Sequence, residues 1–333
     1  MKQYAVLSLV VAIILFIAPF IALISIQPGK EHISSDGTSE PFSVADNENV
    51  SNDDDDKNTI SVFMTDSSEV TEMDMRDYII GVVAAEVPAS YATEAIKAQA
   101  IVAQTYAEYR KKHPDRTISG DISDDSSKHQ GYMTKAEMKE KWGEAYESYL
   151  TKIEDAVDSV AGKVILYENE PVMAAYHAIS SGKTESAKNI WGEDIPYLQT
   201  ADSEWDTYSS RYTSEVRLTA AEVKNIMKTQ KNADFDSPEE EWIGIKKKTD
   251  NGTVLEVMIC GVDLTGIKAR ELFTLRSPVF ETEYKDGEFI FTVSGYGHGV
   301  GMSQNGANCM AKEGKTAEEI IKHYYSGVTI DIL

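Results

Sequence analysis

The sequence predicts an α+β domain, with helices and antiparallel hairpins around a central cleft, behind a single-pass N-terminal membrane anchor. An uncharged run of 22 residues, Ala5–Ile26, lies near the start of the chain. Two helical stretches follow in tandem between Met73 and Tyr109. Strand pairs joined by Asn-Gly and Asp-Gly turns then mix with capped helices, without regular βαβ alternation.

The elements read in order as follows. Ala5–Ile26 is long enough to span a bilayer, and Lys2 with the amino terminus places residues 1–4 on the cytoplasmic side. No A-x-A-like site follows, so an uncleaved anchor is expected. Residues 27–59 read as a tether. Between Glu31 and Asn58 nine acids face one base, Lys57, and too little apolar surface is present to fold. The folded part is expected over residues 60–333, with a strand at Ile60-Ser-Val-Phe-Met.

In the first helix Ile79, Val82, Val83 and Glu86 share one face, and Val87-Pro88 ends it. The second helix runs from about Thr93 to Lys111. Its alanines, from Ala95 to Ala107, let another backbone approach. Lys97 and Gln104, seven apart, are expected to look into one cleft. A polar loop, His113 to Gly131, precedes the capping box Thr134-x-x-Glu137, which opens a helix to about Ala161. Gly162–Tyr167 and Pro171–His177 read as a hairpin. Thr219-x-x-Glu222 caps a helix to about Thr229. Hairpins are expected at Ile243–Lys248 with Val254–Ile259, and at Val279–Tyr284 with Phe289–Val293. Thr316–Tyr325 is a last helix with a strand after it.

Composition narrows the function. The 333 residues carry a formal charge of −23, which excludes nucleic acid as a partner and argues against docking on anionic polymers. A glycan would then be met by hydrogen bonds and stacking, with few charges. Cys260 and Cys309 have no metal-ligand spacing. Two buried thiols are preferred to one disulfide.

Glu86 is the residue around which chemistry is expected. It sits on an apolar helix face at a C-terminus, where burial and the macrodipole both favour the neutral acid. A carboxylic acid held neutral is what a general acid must be; the bland alternative is a half-exposed glutamate touching solvent. GYGHGVGMSQNGA at 295–307 is glycine-dense before a helix, and His298, Ser303 and Gln304 are sensible hydroxyl and acetamido partners. Trp191 and Tyr197 are candidates for stacking on sugar rings. A triad of Ser181, His177 and Asp202 lacks a nucleophile elbow and is not expected.

Three blocks carry a resemblance: DYIIGVVAAEVPASY with EAIKAQAIVAQTY, then SSGKTESAKNIWGEDIPYLQTADSEWD, then GYGHGVGMSQNGANCMAKEGKTAEEIIKHYYSGVTI. In this order they resemble the stage II sporulation protein D family, which also contains amidase-enhancer relatives, over roughly residues 60–333. The resemblance implies a membrane-anchored lytic transglycosylase. It would cleave MurNAc–GlcNAc bonds of peptidoglycan with 1,6-anhydro-MurNAc formation, in septal wall remodelling during engulfment. It places the domain between forespore and mother cell, beside an amidase and a polytopic membrane protein. Glu86 would be catalytic. Lys97, Gln104, Ser181, Tyr197, His298, Ser303 and Gln304 would bind substrate. The rival reading is a non-catalytic, glycan-binding amidase enhancer. A metal-dependent amidase is disfavoured, since no H-E-x-x-H is present. No cofactor is expected. Some members of the family carry zinc on a Cys/His cluster after the KAQA helix. Here that loop holds His113 and His129 but no cysteine, so no zinc is expected. Gln104 stands where relatives usually have arginine, and Gln199 where a basic residue is expected. Both losses bear on catalytic strength and not on the fold.

Overall fold

The computed structural model describes residues 58–333, so the expected anchor and nearly all of the tether lie outside the described residues. Among the described residues no helix is long and apolar enough to cross a membrane. Strand β1 (Thr59–Met64) pairs antiparallel with β2 (Glu69–Asp74) and parallel with the short β3 (Ile122–Ser123). Helix α1 (Met75–Glu86) starts where Asp74 accepts hydrogen bonds from the Arg76 and Asp77 amides at 2.8 and 3.3 Å. It stops at Glu86 because Pro88 forces Val87 into extended geometry, φ −124° and ψ 148°. Its buried surface is more than the expected stripe: Tyr78 to Ala84 are buried without interruption. Helix α2 (Thr93–Lys112) packs on it through small side chains, including Ala95, Ala98 and Ala103.

The helix expected from Thr134 to Ala161 is two helices. The capping box opens α3 (Lys135–Trp142), and Gly143 at φ +52° breaks it. After a turn at Gly143–Ala145, α4 (Tyr146–Asp158) continues. Trp142 folds back edge-on against Tyr149, with ring centroids 5.7 Å apart.

The hairpin expected across residues 162–177 forms only at its start. Strand β4 (Lys163–Tyr167) pairs with β5 (Glu170–Pro171) and, on its other side, with the C-terminal β14 (Thr329–Ile332). The chain is then drawn away. The Ala175 carbonyl accepts from the Met302 amide at 3.1 Å and from the Tyr325 hydroxyl at 2.7 Å. Tyr176–His177 (β6) consequently runs parallel to Met302–Ser303 (β13).

A second body of structure sits between these parts. After the short α5 (Ala187–Trp191) come β7 (Thr213–Thr219), α6 (Ala220–Met227), β8 (Ile243–Lys248), β9 (Val254–Ile259), β10 (Val262–Leu264), α7 (Gly266–Leu272), β11 (Phe280–Lys285) and β12 (Glu288–Ser294). They form two three-stranded antiparallel sheets, β10-β9-β8 and β11-β12-β7. Both expected hairpins are here, at the expected turns. Trp242, Phe280, Phe289 and Phe291 build a core separate from the one around α1 and α2. Both cores lie within one compact unit of the described residues. The chain returns to the first core at Val300 and ends with α8 (Gln304–Lys312), α9 (Ala317–Tyr324) and β14. Cys260 lies buried in the second core and Cys309 lies on α8; both are free thiols.

Candidate active site

A cleft of about 1150 Å³ opens where the C-terminus of α1, the start of α8 and β6 meet. Glu86, Gln304, Tyr176 and His177 are among its lining residues. Residues 126–130 with Trp142 and Tyr149 also line it, as do Trp191 and the glycine loop at Tyr296–His298. The second core contributes Arg270, from α7.

Glu86 is held by its surroundings. Its Oε1 accepts from the Gly131 amide at 2.6 Å. A Cβ on residue 131 would come within 3.2 Å of that oxygen, so glycine lets the backbone approach this closely. Burial raises the Glu86 pKa above the ordinary carboxylate value. The Gly131 amide and the neighbouring Tyr176 and Gln304 side chains pull the other way without cancelling it. The Tyr176 hydroxyl itself has no hydrogen-bond partner of good geometry. The Gln304 amide donates to Gln99 Oε1 at 3.4 Å, beneath the cleft. Burial, more than the helix dipole invoked from sequence, therefore favours the acid form.

Two histidines flank this carboxyl group's side of the cleft, with ring centroids 5.8 Å apart. His298 Nδ1 accepts from the Val300 amide at 3.1 Å, which assigns the ring proton to Nε2. His177 Nδ1 faces the Val300 carbonyl at 3.1 Å and must donate, which leaves Nε2 as a bare acceptor with no partner. Burial pushes His298 down to about 3 and His177 to about 4. Both rings are neutral at physiological pH.

Among the expected site residues, Glu86, His298 and Gln304 line the cleft together, and Trp191 joins them, 41% exposed with its ring 5.4 Å from that of His298. The others do not. Lys97 is turned away and pairs with Glu94 at 2.8 Å, while Glu94 also accepts from the Ala317 amide at 2.8 Å, tying α2 to α9. Gln104 is buried within the core side of α2. Neither residue is among those that line the cleft. The Ser181 hydroxyl donates to the Asn251 carbonyl at 3.2 Å. The Tyr197 hydroxyl accepts from the Met173 amide at 3.1 Å and braces the strand leading to β6. Ser303 is fully buried as the N-cap of α8, accepting from Gly306 at 3.1 Å. Gln199 donates to the Ile195 carbonyl at 2.8 Å. No Ser/His/Asp triad forms: Asp202 pairs with Lys183 at 3.2 Å and His177 is committed to Val300.

Sequence reasoning missed Gln99, Tyr176, Arg211 and Arg270. Tyr176 precedes His177 on β6, and only the parallel pairing with β13 reveals that this segment enters the site. The charge of the lining was also misjudged. Among the described residues that line the cleft, Glu86 is the one carboxyl group, against Lys128, Lys141, Arg211 and Arg270. A chain of charge −23 has kept its acids out of this cleft.

In the loop after α2 the two histidines have separate partners. His113 stacks on Tyr109 at 4.3 Å, whereas His129 bonds Ser123 at 2.9 Å and faces Asp115 at 3.6 Å. Among the described residues no group of three metal-ligating side chains gathers. Elemental analysis of the purified protein is expected to find well under one zinc per chain. Stoichiometric zinc that survives dialysis contradicts this.

Comparison with known proteins places the chain. A family model described as "Stage II sporulation protein" matches residues 64–167. Stage II sporulation protein D of Bacillus subtilis (strain 168) is 37% identical over 340 residues, covering 99% of this chain and 96% of that protein. The protein of the same name from Bacillus amyloliquefaciens is 36% identical over 275 residues, covering 82% and 78%. The amidase enhancer of Bacillus subtilis is 26% identical over 302 residues, covering 75% of this chain and 40% of that protein. With such identity across nearly the whole of both chains, this protein belongs to the stage II sporulation protein D family.

Proposed function

We propose that the chain is a membrane-anchored lytic transglycosylase of peptidoglycan, a finer reading of the sporulation and cell-wall role that its family supports. The observation that carries it is a single desolvated carboxyl group in a long cleft. Ordinary glycosidases need two carboxyl groups, one of them to activate water or to attack the sugar. Lytic cleavage needs one. Protonated Glu86 gives its proton to the glycosidic oxygen as that bond breaks. The C6 hydroxyl of the same muramic sugar attacks the anomeric carbon. The Glu86 carboxylate then takes the hydroxyl proton, which restores the acid and leaves a 1,6-anhydro end. Attack from within one sugar carries a large effective molarity, so no activated water is required.

Trp191 offers a partly exposed ring for stacking, and Gln304 an amide beside Glu86. The neutral His298 shapes the wall by its bond with Val300. In the same reading the protein works at the septal membranes during engulfment. An amidase that strips stem peptides and a polytopic membrane protein would be its partners.

Digestion of purified glycan strands, with and without stem peptides, tests this by mass analysis. Anhydro-muramic ends are expected. The likeness to an amidase enhancer favours one second reading, a module that holds glycan without cutting it. Strand binding with no anhydro ends under any condition would replace the first reading by the second.

A further inference from the structure

Three arginines gather at the mouth of the cleft around Tyr296, whose ring is 36% exposed. The Arg276 and Arg211 guanidinium carbons lie 5.5 and 5.9 Å from the ring centroid, within cation–π range. Arg270 reaches the same place from α7 and, with Arg211, lines the cleft. None of the three forms an ion pair with a described carboxylate. Glu271, the acid next to Arg270 in sequence, is taken up by Lys268 at 3.0 Å. Of the four other described arginines, Arg76 pairs with Asp158 and Arg217 with Glu215 and Glu288, while Arg110 and Arg116 lie apart from this group and form no ion pair with a described carboxylate either.

Acids outnumber bases 55 to 32 in this chain, so three unpaired guanidinium groups side by side need a reason. Arg270 sharpens the point. It is half-buried, so it bears a desolvation cost that Tyr296 and the nearby Glu271 offset only in part, and no described carboxylate forms an ion pair with it. A guanidinium presents a planar fork that matches a carboxylate. The ring of Tyr296, which lines the cleft, lies within cation–π distance of two of these groups.

We propose that Arg211, Arg270 and Arg276, organised by Tyr296, form a subsite for a carboxylate carried by the glycan strand. The proposal rests on the glycan reading above. Two carboxylates are available on such a strand: the lactyl group of a muramic residue whose stem peptide is gone, and the acids of an intact stem peptide. A subsite of this kind reads the state of the strand before the bond beside Glu86 is cut.

The test measures binding of the full-length protein to three strand preparations: stem peptides intact, stem peptides removed, and stem peptides removed with the carboxyl groups methyl-esterified. The wild type is expected to lose tenfold or more in affinity on esterification, and its binding to the free acid is expected to weaken with added salt. The paired variant Arg211→Gln/Arg270→Gln is expected to bind acid and ester alike. Preference for the stripped strand assigns the lactyl carboxylate, and preference for the intact strand assigns the stem peptide. Equal wild-type binding of acid and ester overturns the subsite while leaving the glycan reading in place, and needs no variant to fold. Failure to bind any of the three overturns both.

Discussion

Glu86→Gln is expected to lower the rate of glycan cleavage by on the order of a hundredfold or more, the usual cost of losing general acid–base transfer. Glutamine keeps the size of the side chain and a carbonyl oxygen to accept from the Gly131 amide, now 2.6 Å from the carboxylate. Strand binding is expected to survive. The wild-type rate is expected to fall as pH rises through the raised pKa of Glu86, because the protonated form is then lost. Stability follows from the same shift. A carboxyl group whose pKa is raised on folding holds its proton more tightly in the native state. Native stability therefore falls as pH rises from the ordinary value of 4.5 through the folded value. The variant escapes that loss. It is expected to melt at or above the wild-type temperature near neutral pH, and the difference is expected to close below pH 4.5. Thermal melts across pH check the second half. A variant that cuts at the wild-type rate would require another acid.

Gly301→Ala is expected to cost about 3–5 kcal/mol, near the top of the range for single substitutions. Gly301 has φ +72°, a conformation that costs a side chain about 1–2 kcal/mol. A Cβ there would sit 2.0 Å from the Ala175 carbonyl oxygen, which is backbone and cannot swing aside. That oxygen accepts from both the Met302 amide and the Tyr325 hydroxyl. Moving it leaves buried partners unpaired at about 1–3 kcal/mol each. It also parts β6 from β13, on which Tyr176 and His177 are placed. Against a typical total stability of about 5–15 kcal/mol the loss is large. Gly287 is the control: its φ is +84°, but nothing lies within 4 Å of its Cβ position. Denaturant midpoints of both variants settle the matter. Equal costs would mean that close packing at Gly301 carries no weight.

Much of the fold was legible because its signals are local. The end of α1 follows from Pro88, and the starts of α3 and α6 follow from Thr-x-x-Glu boxes whose two hydrogen bonds are both present. The β8–β9 hairpin follows from its Asn-Gly turn. What failed depended on distant partners. Lys97 and Gln104 share a helix face, but periodicity does not say which neighbour covers it, and one pairs with Glu94 while the other is buried. The strand at Tyr176–His177 turns away from its expected hairpin because Met302 and Tyr325 compete for Ala175. Net charge is a sum over the chain, so it could not show that the acids avoid the cleft. Glu86 was legible because an acid on an apolar face, one residue before Val-Pro, conflicts with its local setting.

The most direct measurement digests glycan strands in water enriched in heavy oxygen and weighs the new muramic ends. The account predicts anhydro ends that carry no solvent oxygen, because the C6 hydroxyl and not water completes the cleavage. Ends that carry one heavy oxygen from solvent would mean hydrolysis, and would contradict a lone carboxyl group acting as both acid and base.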